Sequence, residues 1–321
     1  RKVLVGALAL SSGASASEFA PSESYPSRPI TIVSPYAPGG AVDVMSRLLA
    51  TKLSEQLRVA VIVKNVAGAS GTIGMSEVAR SPADGYTLLY TPSTIAIFPA
   101  LFRNLNFDPM KDLVPVSQFI SSAMLIAVHP DTEAKSIEEL VALAKANPGE
   151  LNFGSAGVAD TLQLGIEMFK VDTGTDMLAV PYRGQGPMMI ALLGGEVDLG
   201  LLSVQTALPS VRQGALRALG VTGATRSAAL PEVPTVGETV SGYELTSWHG
   251  VFAPVGTPSE VVERIQLAIA EVTRDPSVRK IIEDAGNEVV GSTPEAFKDK
   301  FTSDIEMFSN VVKQAELPMQ D

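Results

Sequence analysis

The strongest constraint on the fold is an alternation that recurs along the chain: a short β-branched run, a glycine break, then apolar residues at helical spacing. Residues 30–33 read Ile-Thr-Ile-Val, Pro38-Gly39-Gly40 follows, and Met45, Leu48, Leu49, Leu53 and Leu57 then recur at helical intervals. A second strand is expected over 59–63, a second glycine break at Gly68-Ala69-Ser70-Gly71, a short helix over 73–80 and a third strand over 86–90. This βαβαβ order builds a parallel sheet with helices on both faces, and such sheets place ligands outside the carboxyl ends of their strands. The glycine breaks stand at those ends.

After a pause over residues 99–115 the alternation restarts. Residues 124–128 read as a strand, and Ser136-Ile137-Glu138-Glu139 as a capping box opening a helix that stops near Asn147-Pro148-Gly149. Further strands are expected over 151–153, 177–180, 198–202 and 218–221, separated by helices that start near Asp160, Pro187 and Val204. A strand over 247–253 follows, then helices opened by Thr257-Pro258-Ser259-Glu260 and by Thr293-Pro294, which return the chain to the first unit. The reading is two α/β domains joined by two crossings, with a cleft whose walls close on a ligand. No repeat of 20 to 50 residues competes with it.

Composition narrows the function. With 24 Lys plus Arg against 35 Asp plus Glu the net charge is −11, and no basic run reaches three residues. A nucleic-acid partner is not expected, because phosphate binding needs clustered cations. The hydrophobic share of 45% supplies a core, and the absence of cysteine removes disulfides, thiol nucleophiles and Cys-bound zinc.

Arg1 and Lys2 precede an apolar stretch over 3–10 that ends in Ala14-Ser15-Ala16, the order of a secretory leader cleaved after Ala16. Residues 17–27 read as a linker. The expectation is an exported protein.

Catalytic signatures are missing: no Gly-x-Ser-x-Gly elbow, phosphate loop, dinucleotide fingerprint or His-Glu-x-x-His occurs. His129 and His249 read as packing residues, and Asp198, at a strand entry, equally as a turn residue or a functional one. The protein is expected not to be an enzyme and to need no metal or organic cofactor. A glycine break before a helix can instead bind an anion, since first-turn N–H groups are unpaired and carry partial positive charge. Gly39-Gly40 offers one such site, and Gly154-Ser155-Ala156-Gly157, before the helix near Asp160, offers a second from the other domain.

Over residues 25–316 the chain resembles the extracytoplasmic solute receptors of tripartite tricarboxylate transporters, the Bug or TctC family. The resemblance rests on Tyr25-Pro26-Ser27-Arg28-Pro29-Ile30, on Pro35-Tyr36-Ala37-Pro38-Gly39-Gly40-Ala41-Val42-Asp43 and on Asp84-Gly85-Tyr86-Thr87-Leu88-Leu89. Further matches are Val180-Pro181-Tyr182-Arg183-Gly184, Leu193-Gly194-Gly195-Glu196-Val197-Asp198, Leu230-Pro231-Glu232-Val233-Pro234-Thr235 and Ala253-Pro254-Val255-Gly256-Thr257-Pro258.

The resemblance implies a type II periplasmic binding fold that captures a small organic carboxylate and delivers it, as a monomer, to membrane transporter subunits. Domain 1 would comprise residues 28–124 and 249–321, and domain 2 residues 125–248. The loop of Tyr36, Ala37, Pro38, Gly39 and Gly40 would hold a carboxylate through backbone N–H groups and water, with Asp43 ordering that loop or only complementing the helix dipole. Ser93 and Thr94, the loop of Ser155, Ala156, Gly157, Asp160 and Thr161, the Tyr182, Arg183 and Gly184 segment, and Ser203 would complete the wall.

Three positions depart from the family pattern. Asp160 stands where many relatives have Ser or Thr, Gln163 where they have His, and Leu202 where many have Asp. Asp160 either faces the cleft, where its charge opposes a plain di- or tricarboxylate, or only caps its helix. Leu202 in place of an acid speaks against a free ammonium group at that wall. The expected ligand is a mono- or dicarboxylate, an aromatic acid or its amide, rather than citrate. Two other readings stay open: a receptor feeding a membrane sensor, and a hydrolase using His249.

Overall fold

The computed structural model describes residues 25–155, 157, 160–182 and 184–320. The leader expected at 1–16 and most of the linker expected at 17–27 lie outside the described residues. The first alternation forms β1 (Ile30–Ser34), α1 (Ala41–Leu57), β2 (Val61–Asn65), α2 (Thr72–Ala79) and β3 (Thr87–Pro92). β1 pairs in parallel with both β2 and β3. The helical spacing read from α1 is its packing face: Met45, Leu49, Leu53 and Leu57 are buried in one cluster with Ile30, Ile32, Leu88 and Tyr90.

After α3 (Phe98–Leu101) comes β4 (Leu113–Val128), whose first part occupies the end of the expected pause. Pro115 and the polar residues Ser117, Gln118, Ser121 and Ser122 hide this part from a hydrophobicity reading. The structure tolerates the proline because β4 and its neighbour shift register between Pro115 and Ser117. The chain continues through α4 (Ile137–Ala146), β5 (Asn152–Ser155), α5 (Thr161–Thr173), β6 (Leu178–Pro181), α6 (Gln185–Leu193), β7 (Leu199–Ser203), α7 (Val204–Arg212) and β8 (Arg217–Val221). It ends with β9 (Thr246–Pro254), α8 (Ser259–Arg274), α9 (Pro276–Asp284), the short β10 (Glu288–Val289) and α10 (Pro294–Gln314).

The strands follow the order β2-β1-β3-β9-β4-β7-β5-β6, with β8 and β10 also paired to β4. Only the β2-β1-β3 and β7-β5-β6 runs are parallel. β4 and β9 run antiparallel to their neighbours in the middle of the order, because one carries the chain out of the first half and the other brings it back. β4 changes partner midway, pairing residues 113–123 with β9 and residues 124–128 with β7.

α10 closes the face opposite α1. Phe297 and Phe301 pack edge-on against Trp248, and Asp304 accepts a hydrogen bond from the Trp248 indole at 2.6 Å and an ion pair from Lys300 at 2.7 Å. Gly250 is required here, because a Cβ would lie 2.1 Å from the Phe297 ring. Two of the quoted sequence motifs meet as structure: Arg28 pairs with Asp84 at 2.7 Å and lies over the Tyr86 ring, while the Tyr25 hydroxyl donates to the Gly85 carbonyl. The α4 capping box is half formed. Ser136 accepts from the Glu139 N–H at 3.1 Å, but the Glu139 carboxylate accepts from Lys135, one residue earlier than the motif requires.

Candidate functional site

Where the two halves of the sheet meet, a cleft of about 570 Å³ opens. It is lined from the starts of four helices. α1 contributes Ala41, Val42, Val44 and Met45, α5 Thr161 and Leu162, α6 Gln185, and α7 Gln205 and Thr206 with Ser203 before them. The floor comes from the crossing strands: Ser122 and Met124 of β4 and Ser247 and His249 of β9.

The helix starts fall into two kinds. Gly40 precedes α1 and Gly184 precedes α6, and neither helix has a side-chain cap. Their first-turn N–H groups therefore lack the internal acceptor that a capping side chain provides. α5 is capped by Asp160, whose Oδ1 accepts from Leu162 N–H at 3.3 Å, and α7 by Ser203, whose hydroxyl accepts from Thr206 N–H at 3.3 Å. Gly184 holds φ at +105°, a region that disfavours any residue with a Cβ. The space beside Gly40 is open, the nearest atom to a Cβ there being the Ala37 carbonyl oxygen at 3.9 Å.

Asp43 builds the α1 loop. Buried, it accepts from the Gly39 N–H at 2.9 Å, from Arg47 Nε at 3.0 Å and from Asn65 Nδ2 at 2.8 Å. The Arg47 hydrogen bond, aided by those of Gly39 and Asn65 and opposed by burial, holds its pKa down to about 2. Asn65 also donates to the Tyr36 carbonyl, so one amide fastens both ends of the loop. The N–H of Gly39 is thereby taken, and the free N–H groups begin at Gly40.

Tyr36 reaches Thr94 through its hydroxyl at 2.9 Å, and Thr94 lines the cleft. Burial raises the Tyr36 pKa, and the charge of Asp160 raises it further, so the loop before α1 and the start of α5 share one electrostatic environment. Asp160 itself both caps α5 and lines the cleft, and the two alternatives read from sequence coexist. Its pKa is raised, mainly by burial.

Several expected positions lie behind the lining. Ser93 is fully buried and shares a hydrogen bond of 3.2 Å with Ser247, which does line the cleft. Ser155 bonds within its own turn, to Gly157. Tyr182 donates its N–H to the Ser155 carbonyl and packs on the core. Ala37, Pro38, Gly39 and Gly40 are exposed at the rim, Gly157 and Gly184 stand in loops outside the lining, and Thr161 and Ser203 are in it. Ala156 and Arg183 lie outside the described residues. Leu202 is fully buried opposite Leu125, so the wall it was expected to form is core and sets no condition on an ammonium group. Asp198 ties strand starts together, accepting from the Asn152 N–H at 2.8 Å.

Sequence reasoning missed the floor and Gln185, although it placed Gly184, which heads α6, in the wall. Ser122, Ser247 and Gln185 carry no local motif and become neighbours only when the crossing strands and helix starts converge. His249, read as packing, both packs and lines the cleft. Its Nδ1 is 3.2 Å from the Tyr90 hydroxyl, and burial lowers its pKa to about 4, leaving the ring neutral at pH 7. Among the described residues, no group of three metal-ligating side chains occurs and no helix is long and apolar enough to cross a membrane.

Comparison with known proteins points to one family. The family model described as "Tripartite tricarboxylate transporter family receptor" matches residues 45–316. Protein BugT of Bordetella pertussis is 34% identical over 91% of this chain and 90% of its own length. An R. palustris protein solved with adipate is 33% identical with a TM-score of 0.77, covering 92% of this chain and 100% of that one. MatC from Rhodopseudomonas palustris with bound malate is 27% identical with a TM-score of 0.73, covering 90% and 100%. The fold is the two-domain α/β architecture of these binding proteins.

Proposed function

Because the chain belongs to the tripartite tricarboxylate transporter receptor family, we propose that it is a periplasmic receptor that captures a small organic carboxylate by domain closure and delivers it to a transporter of that type. The ligand is a mono- or dicarboxylate, an aromatic acid or the amide of one. The observation that carries this reading is the pair of glycine-headed, uncapped starts of α1 and α6 on one cleft. A carboxylate there accepts from first-turn N–H groups and meets the positive ends of two helix dipoles. The malate and adipate found in related structures are ligands of this class.

The halves correspond to a first domain of residues 28–124 and 249–321 and a second of 125–248. This division is supported by the partner change of β4 between Ala123 and Met124. Bending at the two crossing strands brings the α1 and α6 starts together over the ligand and excludes water. Closure strengthens each hydrogen bond by lowering the local dielectric, and a transporter that distinguishes closed from open accepts only the loaded form. The protein binds without turnover, a reading supported by its membership of a receptor family. A volume of about 570 Å³ lies in the range of small-molecule sites, and micromolar affinity corresponds to about −8 kcal/mol.

The test is a thermal-shift screen of the protein against mono-, di- and tricarboxylates, aromatic acids and their amides. A ligand at a hundred times its Kd adds about 2.7 kcal/mol, and at least one acid is expected to raise Tm. No shift with any carboxylate would overturn the ligand class, and conversion of a bound acid would overturn binding without turnover.

A further inference from the structure

The floor of the cleft holds a hydrogen-bonded pair, Tyr90 and His249, to which the glycine-headed helix starts assign no part. Tyr90 of β3 and His249 of β9 stand on adjacent antiparallel strands, in a register that sets Tyr90 against Val251 and Pro92 against His249, so the two side chains lie diagonally on one face of the sheet. Their rings meet edge to face with centroids 5.5 Å apart, and the Tyr90 hydroxyl is 3.2 Å from His249 Nδ1. Tyr90 is fully buried, and His249 Nδ1 is the one hydrogen-bond partner of its hydroxyl among the described residues. Burial also raises the Tyr90 pKa well above its ordinary value, so the hydroxyl keeps its proton. The other ring nitrogen of His249, Nε2, makes no hydrogen bond among the described residues. The sealed side-chain polar atoms without a partner are Ser34 Oγ and Gln185 Nε2, and His249 Nε2 is not one of them. It is therefore open to solvent, which reaches it from the cleft that His249 lines.

The imidazole proton has one favourable position here. A neutral imidazole has one donor nitrogen and one acceptor. With the proton on Nδ1 the ring would donate to the Tyr90 oxygen, and the Tyr90 O–H would be left in the core without an acceptor, which is costly. With Nδ1 accepting, the hydroxyl is satisfied and the proton goes to Nε2, on the cleft side. We infer that the Tyr90 hydroxyl holds His249 in the neutral Nε2–H tautomer, and that this N–H is a hydrogen-bond donor to a carboxylate or carbonyl oxygen of the bound ligand. The inference rests on the carboxylate reading of the cleft. His249 is then a ligand-binding residue and Tyr90 a positioning residue, and the crossing strand β9 adds a side-chain donor to the backbone donors at α1 and α6. Burial, which lowers the His249 pKa to about 4, keeps that donor neutral at pH 7, so it meets an anion with no charge of its own to desolvate. A hydrolase needs the reverse arrangement, with Nδ1 donating and a bare Nε2 facing the substrate as base.

The experiment has a spectroscopic arm and a binding arm. The chain contains two histidines, His129 and His249, so long-range nitrogen–proton correlation spectra of ring-labelled protein show two rings, and His249→Gln assigns them. In the free protein the His249 ring is expected in the Nε2–H form, and in Tyr90→Phe a measurable share of the Nδ1–H form is expected to appear. Isothermal titration calorimetry then uses succinate, malate, adipate and benzoate as probes of wild type, Tyr90→Phe, Tyr90→Phe/His249→Phe, Tyr90→Phe/His249→Gln and Gly40→Val. With Phe at position 90 no hydroxyl is left unpaired in the core, so the two double variants differ in the donor at position 249, and circular dichroism checks that each is folded. Tyr90→Phe/His249→Phe is expected to bind about ten-fold more weakly than Tyr90→Phe, whereas Tyr90→Phe/His249→Gln, whose side-chain amide supplies an N–H, is expected to stay within about three-fold of it. A free His249 ring in the Nδ1–H form, or equal affinity of the two double variants, overturns the inference; a Tyr90→Phe ring that stays wholly Nε2–H overturns the part given to Tyr90. If binding in those cases is still lost in Gly40→Val, the carboxylate reading stands without the inference. Binding that survives Gly40→Val unchanged overturns the carboxylate reading itself, and no binding of any of the four acids overturns both.

Discussion

Four helices begin at the same cleft, yet they begin in two different ways. α5 and α7 start behind Asp160 and Ser203, side chains that accept hydrogen bonds from their own first turns. α1 and α6 start behind glycines and carry no side-chain cap. A helix that supplies its own acceptor is complete without a ligand, whereas one that does not leaves donors and partial positive charge facing the cleft. Glycine there costs stability, which a bound anion returns. The sequence pointed to the first and second glycine loops as the pair of anion sites and put Gly184 in the wall; in the structure the start of α5 is capped by the Asp160 carboxylate, whereas α6 behind Gly184 has no side-chain cap.

The comparison is broken most directly at Gly40. Its backbone is extended at φ −78° and the space beside it is open, so Gly40→Val is expected to fold with Tm lowered by only a few degrees. Carboxylate binding is expected to fall at least 100-fold, about 2.7 kcal/mol, because the side chain takes the anion's place; calorimetry measures it. Unchanged affinity would remove the glycine-headed starts from the binding account.

Asp43→Ala tests the scaffold beneath that start. It unpairs the Gly39 N–H, Arg47 and Asn65 at once, and is expected to cost about 2 kcal/mol of stability in denaturant unfolding. Affinity is expected to weaken about ten-fold because the loop ahead of α1 loses its order. A stable variant with intact affinity would remove Asp43 from the binding account.

Ser203→Ala probes the capped class. Losing the α7 cap is expected to cost about 1 kcal/mol of stability, with a smaller effect on affinity than Gly40→Val. An affinity loss as large as that of Gly40→Val would merge the two kinds of helix start into one.

The smallest effect is expected from pH. His249 has its pKa lowered by burial from 6.5 to about 4, so the unfolded chain takes up its proton first as pH falls. Its contribution to stability is present above pH 6.5 and is lost as pH drops through 4. Asp160 is shifted the opposite way, and its contribution is present below its ordinary pKa of 3.8 and lost as pH rises through the raised value. The two oppose each other across the acid range, so the measurement compares wild type with His249→Gln. Thermal melts from pH 7 to pH 4 are expected to show wild type losing more stability, by on the order of 1 kcal/mol after allowance for solvent screening. Parallel curves would show that the ring charges freely in the fold.

Much of the fold was legible because its signals are local. The spacing of Met45, Leu49 and Leu53 fixes which face of α1 is buried, and Thr293-Pro294 opens α10 where expected, since helix starts and apolar stripes are set by neighbours a few residues away. α9 and β10 were not foreseen. α9 follows α8 after a single cap residue, Asp275, and β10 has two residues, too few to carry a period. The first part of β4 was also missed, because its polar residues and Pro115 are tolerated only through pairing with β9, more than a hundred residues away.

The candidate site divides along the same line. Sequence alone determined the helix starts, the glycines that leave two of them uncapped and the presence of Asp160, because backbone conformation and capping chemistry are written in adjacent residues. Only the tertiary structure decided that Ser122, Gln185, Ser247 and His249 stand beside them, that Leu202 is core, and that Asp160 caps a helix and faces a cleft together. Those facts depend on how two long strands cross and which helix ends they bring together, and long-range pairing of that kind has no local signature in the chain.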